Sequence, residues 1–358
     1  MGDSNVSTIP VVALGGPSAT LYWLPRANPF QPIRVYSQPR DLTTCTYVYI
    51  SSCGLSKGTN IRIFVDDEER HVPARIALWL FRVLQANEEA MFWADGLCRP
   101  ESESESRTLT ERQDAVIDII RYAHEVWCLI GEPRDPELGD EIHKILESAS
   151  RHWNDACASV GAKIGQPLYI LTAQQKMDIA EWLLTYGAKD LEKIDWSMWG
   201  EIESMFSSAY WNSIECIAEL VVGRVVWMLW GRGRICLENY IGAFRALTYF
   251  HLEQTALLRP SGTRGWKMAV AIHVVRYFKK TWHKVDLRHL LQLTRFCVFT
   301  RAESRDVINA MAGLCMPKER RIEQFDNKYL STEGSIQDVF IATARYIVCE
   351  RQDLSIWD

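Results

Sequence analysis

Apolar and polar positions along the chain alternate between two periods, which predicts strands interleaved with helices. β-Branched and aromatic residues dominate 44–51 ("TCTYVYIS"), 61–65 ("IRIFV") and 91–94 ("MFWA"), each bounded by polar or turn-forming residues, and each reads as a strand. The run 126–130 ("VWCLI"), stopped by Gly131 and Pro133, reads as a fourth buried strand, and 225–230 ("VVWMLW") as a fifth. Between them the apolar period changes to that of a helix. Pro73 suits a first helical turn, and Ile76, Leu80, Val83 and Leu84 follow at helical spacing. Thr110 and Gln113 can form a capping box ahead of the face made by Val116, Ile119, Ile120, Ala123 and Trp127. Ile214, Ile217, Val221 and Val222 make another such face. Strands alternating with helices predict an α/β fold built on a parallel sheet flanked by helices.

The pattern also divides the chain. Residues 1–40, rich in Pro, Gly and Ser, read as an irregular segment, with "LGGPSAT" (14–20) as a turn. Residues 41–131 read as the first part of the α/β core, 132–195 as a helical insertion, 196–250 as the second part of the core, and 251–358 as a helical C-terminal part. The acidic run Asp66-Asp67-Glu68-Glu69 reads as a solvated turn after the second strand; 99–107 reads as exposed, and so do "RGR" (232–234) and "KERR" (318–321).

Composition narrows the function classes. The chain has 358 residues, 47% of them hydrophobic, enough for a substantial core. A formal net charge of -5 supplies no electrostatic footprint for nucleic acid. Fourteen tryptophans provide either core mass or the walls of a pocket for a flat ligand. The ten cysteines form no CxxC pair, there is no HExxH, and His283 and His289 are not at helical metal-pair spacing. No metal is expected, and a reduced, intracellular, cytoplasmic protein is. The most membrane-like run, 217–230, is shorter than the ~20 residues of a span and is interrupted by Glu219 and Arg224.

The order of these pieces resembles the fungal heterokaryon-incompatibility (HET) domain family. The family opens with Tyr-x-x-Leu-Ser-Tyr-x-Trp-Gly; "YVYISSCG" (47–54) keeps Tyr47, Ser51 and Gly54 and lacks the Trp. Its next block is Trp-x-Asp-Ala-x-Cys-Ile-Asn-Gln; "WADGLCRP" keeps Trp93, Asp95 and Cys98, with Arg99-Pro100 in place of Ile-Asn. "AYWNSIECIAEL" (209–220) aligns with the family's Pro-Trp-x-x-Arg-x-Trp-x-x-Gln-Glu-Leu; it keeps Trp211, Glu219 and Leu220 and places Ser213, Glu215 and Ala218 at the Arg, Trp and Gln positions. "RDVINAMAGL" (305–314) is similar to a later family block, so the resemblance spans 44–358. HET domains in turn resemble TIR domains, whose Trp-Cys-x-x-Glu-Leu looks like "ECIAEL" here. The resemblance implies a TIR-like core, a role in incompatibility and cell-death signalling, NAD as a substrate cleaved at the nicotinamide–ribose bond, and Glu219 as the key acid.

The candidate site follows from both lines. Glu219 lies in an apolar helix four residues after Glu215, a spacing that lets the two share a face. A carboxylate in an apolar wall can act as an acid or base, or stabilise an oxocarbenium-like cation; alternatively it pairs with a cation such as Arg224. Asp95 closes a strand, and ligands of open α/β sheets sit beyond the carboxyl ends of strands. Ser51 and Ser52 would meet Asp95 there if their strands are neighbours, and Gly54 joins them in the expected substrate-binding set. Trp93, Trp211 and Glu215 complete the expected substrate-binding set, and Cys98 reads as packing. Three functions remain open: the NAD-cleaving protein, a HET-fold enzyme of fungal secondary metabolism that cyclises or rearranges a small organic substrate, and a catalytically silent scaffold that self-associates. The expected partners are a small-molecule ligand or a second copy of the chain, with neither nucleic acid nor membrane.

Overall fold

The computed structural model describes residues 18–23, 33–51, 60–73, 91–94, 97, 109–163, 166–187, 194–213, 215–254, 264–282, 290 and 311–315. Among these, nine strands form one mixed sheet: β1 (Ser18–Trp23), β2 (Arg34–Asp41), β3 (Tyr47–Ser51), β4 (Asn60–Val65), β5 (Glu68–Pro73), β6 (Met91–Ala94), β7 (Glu125–Gly131), β8 (Val225–Trp230) and β9 (Gly233–Cys236). The spatial order is β5-β4-β2-β1-β6-β3-β7-β8-β9. The protein has the α/β fold its patterning predicts, and its centre, β6-β3-β7-β8, is parallel throughout.

The parallel centre explains why its strands read as unbroken apolar runs. All five residues of β3 are buried, as are the five interior residues of β7. A parallel strand covered on both faces has no solvent side on which to alternate polar residues. Alternation instead sorts side chains between two cores. Tyr47, Tyr49, Trp93, Val126, Cys128 and Met228 point to one face, and Val48, Ile50, Phe92, Trp127 and Leu229 to the other.

The first face carries the helices α1 (Leu109–Tyr122), α2 (Pro136–Ser159), α3 (Ala173–Trp182), α4 (Trp196–Phe206), α5 (Glu215–Val222), α6 (Leu237–Gln254) and α7 (Arg264–Trp282). Helix α2 starts where Asp135 accepts a hydrogen bond from the Glu137 N–H at 2.9 Å, with Pro136 in the first turn. Its Ile142, Leu146, Ala149 and Trp153, at helical spacing, are fully or almost fully buried. Helix α3 starts with a capping box formed by Thr172 and Gln175. The helices at 132–195 share one core with the sheet and with α6, so this segment is part of the main body.

Four expectations are corrected. Residues 1–40 are not wholly irregular, because β1 and β2 pair as an antiparallel hairpin from Ser18↔Asp41 to Trp23↔Tyr36. Their side chains alternate too weakly to announce it: β2 buries only Val35. The acidic turn is confined to Asp66 and Asp67, both at positive φ, and Glu68 already begins β5. Pro73 ends that strand; residues 74–90, where the helix was expected after it, lie outside the described residues. Finally, the sheet is not purely parallel. "RGR" contributes Gly233 and Arg234 to the antiparallel strand β9, with the Arg234 guanidinium 4.8 Å above the Trp227 ring.

The acidic residues at the β4–β5 turn are engaged locally. Asp66 accepts from the Ser37 backbone and hydroxyl, and Asp67 pairs with Arg34. Glu69 lies 3.6 Å from Arg62. Among the described residues no group of three His, Cys, Asp or Glu side chains is placed to hold a metal, and no helix is long and apolar enough to cross a membrane.

Candidate functional site

Glu219 occupies the helix face of the sheet, directly beneath β3. Helix α5 is short and almost entirely buried, and Glu219 is 0% exposed. Two phenols hold its carboxylate. Tyr49, at the middle of β3, donates to Oε1 at 3.2 Å, and Tyr210, in the 3₁₀ turn Ala209–Asn212, donates to Oε2 at 3.0 Å. Hydrogen bonds to an ionised acceptor are the strong class, and they are what makes a carboxylate tolerable at this depth.

The surroundings are equally closed. Tyr49 sits opposite Trp93 in the β3–β6 register, and the rings stack with centroids 5.0 Å apart at 15°. Ser51, two residues along the same face of β3, pairs in register with Cys128 of β7 and is fully buried. Burial pushes the Cys128 thiol well above its ordinary pKa, and the nearby Glu219 charge pushes it further. Cys128 is therefore a protonated packing group.

The C-terminal end of α5 is fixed by cations from α7. Arg276 donates to the carbonyls of Leu220 and, at 2.8 Å, of Gly223, and Lys279 donates to that of Val221 at 3.1 Å. These carbonyls have no partner within the helix, and positive charge there also complements the helix dipole. Burial, with Arg276 and Arg121 nearby, lowers Lys279 to about 8. Arg276 and Lys280 also bind Glu238, at 2.9 and 2.8 Å. Burial alone would raise the Glu238 pKa, but the two cations hold it at about 2.

The structure brings part of the expected set together and disperses the rest. Glu219, Ser51 and Trp93 share one face within three adjacent elements. Trp211 is 2% exposed and spent on packing: its Nε1 donates to the Met205 carbonyl at 2.9 Å, and its ring lies among Phe206, Tyr210 and Tyr240. Glu215 does not share a buried face with Glu219. It opens helix α5 in solvent and accepts from the Ser213 hydroxyl, while its neighbours Cys216 and Ile217 are buried. Arg224 is exposed just past α5, and the groups that hold the two oxygens of Glu219 are phenols. The strands that carry Ser51 and Trp93 are neighbours, with Ile50 opposite Ala94. Asp95, Ser52 and Gly54, and also Cys98, lie outside the described residues.

The sequence does not single out Tyr49, Tyr210 or Arg276. Tyr49 stands in an aromatic strand where every residue looks like core. Tyr210 adjoins Trp211, the residue that the HET-like motif marks. Nothing in the α7 sequence shows that Arg276 reaches α5, 56 residues earlier at Leu220.

No protein-family model, no curated protein and no solved structure matches the chain.

Proposed function

We propose that the chain is a HET-like signalling protein that acts by self-association and partner recognition, and that its Glu219 serves as an internal keystone of the fold. The observation that carries this reading is enclosure: the acid is 0% exposed and both of its oxygens accept from core tyrosines. A group so engaged ties β3, α5 and the 209–212 turn together and has no free face for a substrate. Met177 and Tyr186, large side chains that are 66% and 63% exposed, are ones that assembly would cover.

A second reading is favoured by position. Glu219 lies below the strand from which the parallel order turns both ways, with β6 on one side of β3 and β7 on the other. Open α/β sheets bind ligands at such a switch point. On this reading the site opens to admit NAD, and Glu219 stabilises the cation formed as the nicotinamide–ribose bond breaks.

The two are separated by incubating the purified full chain with NAD, chromatographing for nicotinamide, and measuring mass by light scattering over a concentration series. The first reading expects assembly and no nicotinamide. Nicotinamide release that disappears in a folded Glu219→Gln variant establishes the second, and a wild type that stays monomeric without releasing nicotinamide defeats the first.

A further inference from the structure

The carboxyl edge of the parallel strands carries a second buried acid that neither reading uses. Glu201, on α4, is 4% exposed. Its Oε1 accepts from the Arg134 backbone N–H at 3.3 Å, in the loop that leaves β7, while its Oε2 is buried with no hydrogen-bond partner. A carboxylate oxygen taken out of water without a donor is costly, so its retention points to something that binds it.

Two further unpartnered atoms belong to Trp230, which ends β8, and to His143 of α2. The Trp230 ring, at the end of β8, packs over Gly131, and its Nε1 is buried without an acceptor. The Trp230 carbonyl is 2.9 Å from His143 Nε2. A carbonyl only accepts, so Nε2 carries the proton and the buried, unpartnered Nδ1 is a bare acceptor. Around the ends of β7 and β8, two acceptors and one donor are thus left unsatisfied. The frame is tight: Gly231 has φ +59°, and a Cβ there would meet the Pro133 ring at 2.7 Å.

Cations rim this edge. Arg134 is 85% exposed, with Nε 3.8 Å from Glu201, and Arg232 is exposed on the loop that leaves β8. Buried acceptors call for hydroxyl donors, and guanidiniums at the rim call for an anion. The position beyond the carboxyl ends of parallel strands is where open α/β sheets bind ligands.

We propose that the carboxyl edge of β7 and β8 binds a phosphorylated sugar, free or as part of a nucleotide. Glu201 accepts from its hydroxyls, and Arg134 and Arg232 face its phosphate. The site does not depend on the role of Glu219.

The test is calorimetric titration of the full chain with ribose 5-phosphate, ADP and inorganic phosphate in parallel. Saturable binding of a sugar phosphate is expected, weakened about tenfold or more in Glu201→Gln and in Arg134→Gln. Tighter binding of ADP identifies a nucleotide site, and equal binding a sugar-phosphate site. The proposal is overturned if neither compound binds, if both variants bind as wild type does, or if phosphate alone accounts for the binding. Should Glu201→Gln not fold, by circular dichroism, Arg134→Gln decides, since its exposed side chain leaves the core untouched.

Discussion

Tyr210 and Glu219, nine residues apart, meet at 3.0 Å inside the core, where the phenol of a 3₁₀ turn donates to one oxygen of a helix carboxylate. With Tyr49 on the other oxygen, the turn before α5, the helix itself and strand β3 are held at one point.

Removing one donor should therefore loosen all three elements. Tyr210→Phe keeps the ring and deletes the hydroxyl, and should lower stability by roughly 1.5–3 kcal/mol, the range for hydrogen bonds to charged groups. Glu219→Ala should cost more, because it leaves two buried phenols unpaired and a cavity behind. Urea unfolding monitored by tryptophan fluorescence checks both, with a lowered midpoint and an unchanged slope.

Acid should destabilise the protein in two overlapping windows, of which only the first extends above pH 4.5. Burial, reinforced by the adjacent Arg245, lowers His273 to about 3. The unfolded chain binds that proton near its ordinary pKa of 6.5 and the folded chain does not, so stability is complete above that pH and falls as pH drops toward 3. Glu238, depressed to about 2, contributes stability above its ordinary 4.5 that is lost between there and 2. His273→Gln should flatten the stability profile between pH 6.5 and 4.5, and Glu238→Gln should flatten it only below. Denaturant midpoints measured at half-unit pH steps distinguish them.

Gly265→Ala should be severely destabilising despite the better helix propensity of alanine. A Cβ at this position in α7 would lie 2.2 Å from the Phe206 carbonyl oxygen and 2.7 Å from the Trp211 ring. The contact is with backbone at the end of α4, so relief requires moving a helix; about 1–3 kcal/mol of overpacking cost, or more, is expected. Thermal unfolding of the variant measures it.

The thiols should divide by depth. Cys128 and Cys216 are fully buried, and the Cys128 thiol is raised in pKa, so neither should react with iodoacetamide in the folded protein at pH 8. Both should be alkylated once the chain is unfolded in denaturant. Peptide mass spectrometry before and after unfolding reads this directly, and native labelling of Cys128 would show that the core opens.

The parallel centre of this protein is legible in its sequence. Strands β3, β6 and β7 are short apolar runs because both of their faces are covered, and such runs are legible without knowing what covers them. Glu219 stands out there too, since an acid set within an apolar run must be held by something. Tertiary structure decided what holds it. Tyr49 is 170 residues away in the chain, and Arg276 reaches the end of α5 across 56, distances over which no local period carries information. The antiparallel flank was hidden for a different reason: β2 is largely exposed, so its side chains show little contrast between faces. Glu201 was hidden because in the sequence it is one more acid on an amphipathic helix. Only packing against the loop after β7 removes it from water, and that removal makes its unpartnered oxygen a feature of the protein.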